Sequence, residues 1–136
     1  MQIESKSAPD DVAVIRRGLE ACKTKFAGSD NYQALNVFVR DENDAVIGGL
    51  LGGTYWQWLS IDILWLEADA RGAGLGVKLV GMAEVEAVRR GCEYAHVDTT
   101  DYQAPKLYER LGYTKFGELP NCPSGFNRYY FYKQME

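Results

Sequence analysis

The apolar pattern between Trp58 and Gly91 changes period once, and a glycine-rich loop marks the change. The run Leu59-Ser60-Ile61-Asp62-Ile63-Leu64-Trp65-Leu66 begins in alternation and becomes continuously apolar. That pattern predicts a strand over Trp58 to Glu67, buried on both faces and central in its sheet. From Leu75 the apolar residues Leu75, Leu79, Met82, Ala83 and Ala87 recur on one helical face, with Arg89-Arg90 in the last turn and Gly91 as the stop. Residues Glu93 to Asp98 then read as a short strand. Strand, helix and strand in this order make a crossover, which sets two strands parallel in one sheet.

The flanking segments add antiparallel pieces. Val12, Ile15, Leu19, Cys22 and Phe26 are spaced to line one face of a helix over residues 10 to 26, with Asp10 or Asp11 as its cap. Ala34 to Arg40 and Ala45 to Leu51 read as a hairpin around Asp41-Glu42-Asn43-Asp44, and Gly52-Gly53-Thr54 reads as a second turn. After the crossover come a helix over Ala104 to Leu111 ended by Gly112, a strand over Tyr113 to Leu119, and an aromatic strand over Asn127 to Lys133. The expected fold is α/β, a mixed sheet covered by helices, within a single domain over residues 1–136.

Charge and composition narrow the function. A net charge of −4 without clustered Lys and Arg argues against a nucleic-acid partner and suits an amine substrate better. No apolar run approaches the roughly 20 residues of a membrane span, and Met1 to Lys6 has no signal-peptide core, so a cytoplasmic location and no membrane partner are expected. Cys22, Cys92 and Cys122 are too irregularly spaced for a disulfide framework or a metal site and are expected as reduced thiols. The lone histidine, His96, shares a strand face with Cys92 by alternation, and a structural role is expected for it.

The loop Arg71-Gly72-Ala73-Gly74-Leu75-Gly76 stands where the strand gives way to the helix. A helix N-terminus exposes unpaired N–H groups and partial positive charge, glycines let a pyrophosphate approach the backbone, and Arg71 adds a charge-assisted contact. Two nucleotide patterns fail here. A dinucleotide loop wants glycine where Val77 stands, and in a P-loop a lysine followed by Ser or Thr should come directly after a glycine, whereas Lys78 lies between Val77 and Leu79.

With Arg71, Gly74 and Gly76 meeting a Q/R-x-x-G-x-G/A pattern after a central strand, and Ala104 to Tyr113 meeting an A-x-x-x-Y-x-x-x-G-F/Y segment, the chain resembles the GNAT acetyltransferase superfamily over residues 45 to 119. The resemblance implies a central mixed sheet of six to seven strands with helices on both faces, and acetyl-CoA as cosubstrate with no metal. It implies that main-chain groups of Leu64 and Leu66 pair with the pantetheine arm, and that the amides of Gly72, Ala73, Gly74, Leu75 and Gly76 hold the pyrophosphate. The thioester would lie where the central strand splays from the one ending at Asp98. By the same resemblance the Leu66 N–H stabilises the oxyanion and Tyr108 protonates the departing thiolate.

The base is open at this stage. Alternation puts Asp62 on one face with Leu64 and Leu66, while Glu67, Asp98 and a water relay are rivals. Asp101 stands where many relatives carry Asn; it keeps acceptors and lacks the amide donor, which Gln103 could replace, and it could also cap the following helix. Tyr55, Trp56 and Trp58 with Phe126 to Tyr132 are candidates for an acceptor pocket, with core packing or a homodimer interface as the other uses of such aromatics. The expected activity is acetyl transfer to a primary amine of a small molecule or peptide. The alternative is a non-catalytic acyl-CoA-binding module.

Overall fold

The computed structural model describes residues 1–135, and the chain divides between Asn31 and Tyr32 into two compact units. The first unit carries helix α1, Pro9–Ala27. Pro9 occupies the first helical turn, where its missing N–H costs nothing, and Ala8 is the N-cap with no side-chain bond. The expected cap at Asp10 or Asp11 is therefore wrong; both carboxylates lie inside the first turn and act on the helix dipole instead. No residue of α1 is buried, and the stripe of Val12, Ile15, Leu19 and Phe26 is exposed.

The second unit is a six-stranded mixed sheet in the order β1-β2-β3-β4-β6-β5. Its strands are β1 (Gln33–Arg40), β2 (Val46–Tyr55), β3 (Trp58–Leu66), β4 (Tyr94–Thr100), β5 (Thr114–Leu119) and β6 (Arg128–Gln134). Helix α2 (Leu75–Arg89) connects β3 to its parallel neighbour β4, and α3 (Pro105–Arg110) precedes β5. The element order agrees with the periodicity of the sequence. A short 3-10 turn, Ala68–Ala70, lies between β3 and the glycine loop.

The core forms where the helices meet one face of the sheet. Leu79, Val80, Ala83 and Ala87 of α2 and Tyr108 of α3 are buried in one cluster with Leu59, Ile61, Ala95, Val97 and Phe131. Met82, expected on the inner face of α2, is exposed, and Val80 takes its place. Both positions fit a helical stripe, and the tilt of the helix on the sheet decides between them.

Two departures around β2 and β3 shape the site. First, Gly52, Gly53 and Thr54 are not a turn; β2 continues through them to Tyr55, and the chain reverses at Trp56-Gln57. Both turn residues have positive φ, 45° for Trp56 and 66° for Gln57, the twist that a two-residue hairpin demands and that Asn-Gly usually supplies. Second, β2 advances one residue, from Gly52 to Leu51, while β3 advances two, from Ile61 to Ile63. Asp62 is the extra residue of this bulge. A side chain at Gly52 would collide with the Ser60 carbonyl, so glycine is needed for this close approach.

Candidate active site

β3 and β4 are hydrogen-bonded only at their starts, from Trp58↔Tyr94 to Ile61↔Val97. Beyond the bulge the strands diverge, leaving a wedge between Asp62–Leu66 and Asp98–Thr100. The backbone on the β3 side of the wedge is oriented by pairing with β2. Glu67 N–H donates to Ile47 C=O at 2.8 Å, so strand geometry turns Glu67 and Trp65 toward β2, and Leu64 and Leu66 toward the wedge. Arg71 Nε–H donates to the outward Leu66 C=O at 2.9 Å.

Two hollows occupy the wedge. The inner one, about 80 Å³, is lined by Ile61 to Leu64, Val97 to Thr99, Gln103, Ala104 and Tyr108. The outer one, about 390 Å³, runs from Leu64, Trp65 and Leu66 past Arg71 and Gly76 to Tyr102, Gln103, Ala104 and Leu107. They share Leu64, Gln103 and Ala104.

The glycine loop ends beside the outer hollow. Gly72 and Gly74 have φ of 83° and 78°, and a Cβ at either would meet nothing within 4 Å. Gly74 is the N-cap of α2 with no side-chain bond, and the Lys78 N–H donates to its carbonyl. The amides of Leu75, Gly76 and Val77 therefore have no intrahelical acceptor. Unblocked amides, an adjacent guanidinium and open space on the glycine side fit a diphosphate chemically.

Tyr108 is 2% exposed, with its ring against Tyr113 and Phe131 at centroid distances of 5.5 and 6.1 Å. Burial, reinforced by the negative charge of Asp98, pushes its phenol far above the ordinary tyrosine range. It therefore stays protonated at any working pH.

A model of the acetyltransferase (GNAT) family matches residues 7–113. The chain belongs to the GNAT family. It is 42% identical over 95 residues to the blasticidin-S acetyltransferase of Streptomyces morookaense, covering 69% of this chain and 70% of that protein. It is 40% identical over 111 residues to an acetyltransferase of Agrobacterium fabrum, covering 82% and 81%. A crystal structure of an acetyltransferase from Agrobacterium tumefaciens superposes with a TM-score of 0.92 at 33% identity, covering 99% of this chain and 98% of the other. The protein is accordingly an acyltransferase.

Within this GNAT site the three carboxylates considered as bases are placed differently. Asp62 borders the inner hollow and accepts a 2.6 Å hydrogen bond from the Ser60 hydroxyl. The expectation that Asp62, Leu64 and Leu66 share a face does not hold, because the bulge returns Leu64 and Leu66 to the face of Leu59 and Ile61. Asp98 also borders the inner hollow but faces Arg128 Nη1 at 3.5 Å. Glu67 follows the end of β3 and lines neither hollow.

Asp101 turns away from both hollows. It accepts the Tyr129 hydroxyl at 2.6 Å and the Asn127 N–H at 2.7 Å, and these two bonds hold its carboxyl below the usual range. Nor does it cap α3, whose N-cap is Ala104. Gln103 Oε1 accepts the Thr100 N–H at 2.9 Å. A backbone N–H can only donate, so this bond fixes the amide oxygen there and turns the NH₂ group away from it.

No pattern in the chain announces the pairing of His96 with Tyr55, whose Nε2 and hydroxyl lie 2.9 Å apart across 41 residues. Burial lowers the His96 pKa against an opposing pull from Asp62 and Asp98. The pair lies in a third hollow of about 620 Å³, open to solvent and lined by Tyr55, Trp56, Trp58, His96, Phe116 and Tyr132. Cys92 is buried and its thiol pKa is raised, so it is not poised as a nucleophile. Among the described residues no group of three or more His, Cys, Asp or Glu is arranged to hold a metal ion, and no helix is long and apolar enough to cross a membrane.

Proposed function

We propose that this GNAT protein transfers the acetyl group of acetyl-CoA to a primary amine of a small molecule or peptide by direct attack of the amine on the thioester. Residues 1–136 would work as one acetyltransferase domain in the cytoplasm. The observation that supports the reading most is the wedge, whose inner hollow is lined by Leu64 and the buried Tyr108 and whose outer hollow is lined by Leu64 and Leu66. The family's use of acetyl-CoA supports the donor, and the name of the blasticidin-S relative supports a small-molecule acceptor.

The chemistry forms a C–N bond and breaks a C–S bond, so the amine loses a proton and the departing sulfur gains one. The outward Leu64 and Leu66 groups align the pantetheine arm, displacing Arg71 from the Leu66 carbonyl toward the phosphates. The Gly72 to Gly76 amides hold the pyrophosphate, and the Gln103 NH₂ supplies the donor that Asp101 lacks. Leu66 N–H stabilises the oxyanion. Tyr108 gives its proton to the thiolate. Asp62 accepts the proton of the amine, directly or through a water, because Asp98 is engaged with Arg128.

The test is thiol release from acetyl-CoA across a panel of amines, with CoA binding measured in parallel. Tyr108→Phe is expected to lower kcat by about 100-fold or more with CoA affinity retained. Tight CoA binding without thiol release on any amine would leave a non-catalytic acyl-CoA-binding module.

A further inference from the structure

The hollow around the Tyr55–His96 pair is separate from the two in the wedge and has a different chemistry. Its lining side chains are all aromatic, and its volume of about 620 Å³ lies in the range that holds a drug-sized molecule. The rings are fixed by each other. Trp58 stacks on Tyr94 at 4.7 Å and 21°, Phe116 stands edge-on to Tyr132 at 5.6 Å and 73°, and His96 lies 5.7 Å from Trp58. Such walls receive a flat ring by stacking and a cation by attraction to their π faces. The Tyr55–His96 pair is the polar spot among them, suited to one ring heteroatom or hydroxyl.

The position ties this hollow to the transfer chemistry. His96 is paired with Ser60, one step before the final pair Ile61↔Val97, so the wedge opens immediately beyond it. Asp62 and Asp98 are near enough to act electrostatically on the His96 imidazole. A ligand stacked among the rings therefore has a negatively charged border on the side where the thioester would lie. The turn is a further sign. Trp56 is held at φ 45° in a hairpin position better served by Asn, so an unfavourable backbone is kept where an aromatic ring borders the hollow.

We propose that the hollow lined by Tyr55, Trp56, Trp58, His96, Phe116 and Tyr132 is the acceptor subsite, and that it selects primary amines carried on a flat aromatic or heteroaromatic body. The flat body stacks between the rings and the ammonium end points past Asp62 into the wedge. This deepens the acetyltransferase reading above and rests on it.

The experiment compares phenethylamine with 2-cyclohexylethylamine, alike in length and amine but differing in flatness. The saturated ring is the more hydrophobic, so nonspecific apolar burial favours it and stacking favours the other. Kinetics with acetyl-CoA and calorimetric binding in the presence of CoA are both read. The wild type is expected to favour phenethylamine at least tenfold in kcat/KM and in affinity. Trp56→Asn, which suits the turn and keeps the fold, should abolish that preference without lowering Tm, and Phe116→Ala should reduce it. Equal treatment of the two amines by the wild type, or a preference undiminished in both variants, overturns the proposal. Preferential binding of the flat amine, lost in Trp56→Asn, with no acetyl transfer would sink the enzymatic reading and leave the subsite standing. Transfer without any preference for flatness would do the reverse.

Discussion

His96 makes the folded protein sensitive to mild acid. Its pKa is lowered in the fold, chiefly by burial, with Asp62 and Asp98 opposing the shift and the Tyr55 hydroxyl in contact. The unfolded chain therefore binds a proton near pH 6.5 that the folded one still refuses. Stability is expected to be complete above about pH 6.5 and to decline as pH falls from there through the lowered folded value. Urea midpoints measured between pH 7.5 and 5.5 should show the decline, and His96→Gln should flatten it. At Asp101 the outcome is set by charge. Asp101→Asn can still accept the Asn127 N–H and can donate its NH₂ to the Tyr129 hydroxyl oxygen, but both bonds lose the carboxylate charge that strengthens them. The variant should have a lower urea midpoint while its CoA affinity, by titration, changes little. Neither residue's setting was readable from the sequence. The contacts of Asp101 lie 26 and 28 residues downstream and that of His96 lies 41 upstream, whereas periodicity reports only on neighbours within one element.

Elements were the most legible level, because each announces itself by a period and a stop. Leu75 to Gly91 reads as a helix from its stripe alone, and the helix forms over Leu75–Arg89. The bulge at Asp62 escaped for a physical reason. Ile63 to Leu66 is apolar throughout, so an inserted residue leaves no fault in the pattern, and the face of Leu64 must be read from its pairing with β2. Glycines at 52 and 53 signal turns in most strands, yet here one permits close backbone approach and the true turn has none. Gly52→Ala is expected to cost about 1–3 kcal/mol, a typical overpacking penalty, visible in denaturant unfolding. It should also reduce turnover, since the bulge aims Leu64 and Leu66. Gly74→Val tests the anion site. A β-branched residue at φ 78° distorts the N-terminus of α2, so CoA affinity should fall by at least tenfold in calorimetry, and an unaltered affinity in a folded variant would displace the phosphates from this loop.

On the scale of the whole molecule, cosubstrate binding should register as stability. CoA at 100 times its Kd adds about 2.7 kcal/mol to the bound form, which for a chain of this size raises Tm on the order of 10 °C in differential scanning fluorimetry. The divergence of β3 and β4 gives this stabilisation a mechanical side. The sheet amounts to two leaves, β1-β2-β3 and β4-β6-β5, joined along a spine of four residue pairs. The aromatic hollow straddles that spine, with Tyr55, Trp56 and Trp58 on one leaf and His96, Phe116 and Tyr132 on the other. On the proposed reading, a molecule gripped by both sets of rings would brace the leaves at one end of the hinge, while a pantetheine arm would spread between them at the other. The protein would then work like a clothes peg, in which what is held at the handles bears on how widely the jaws stand open.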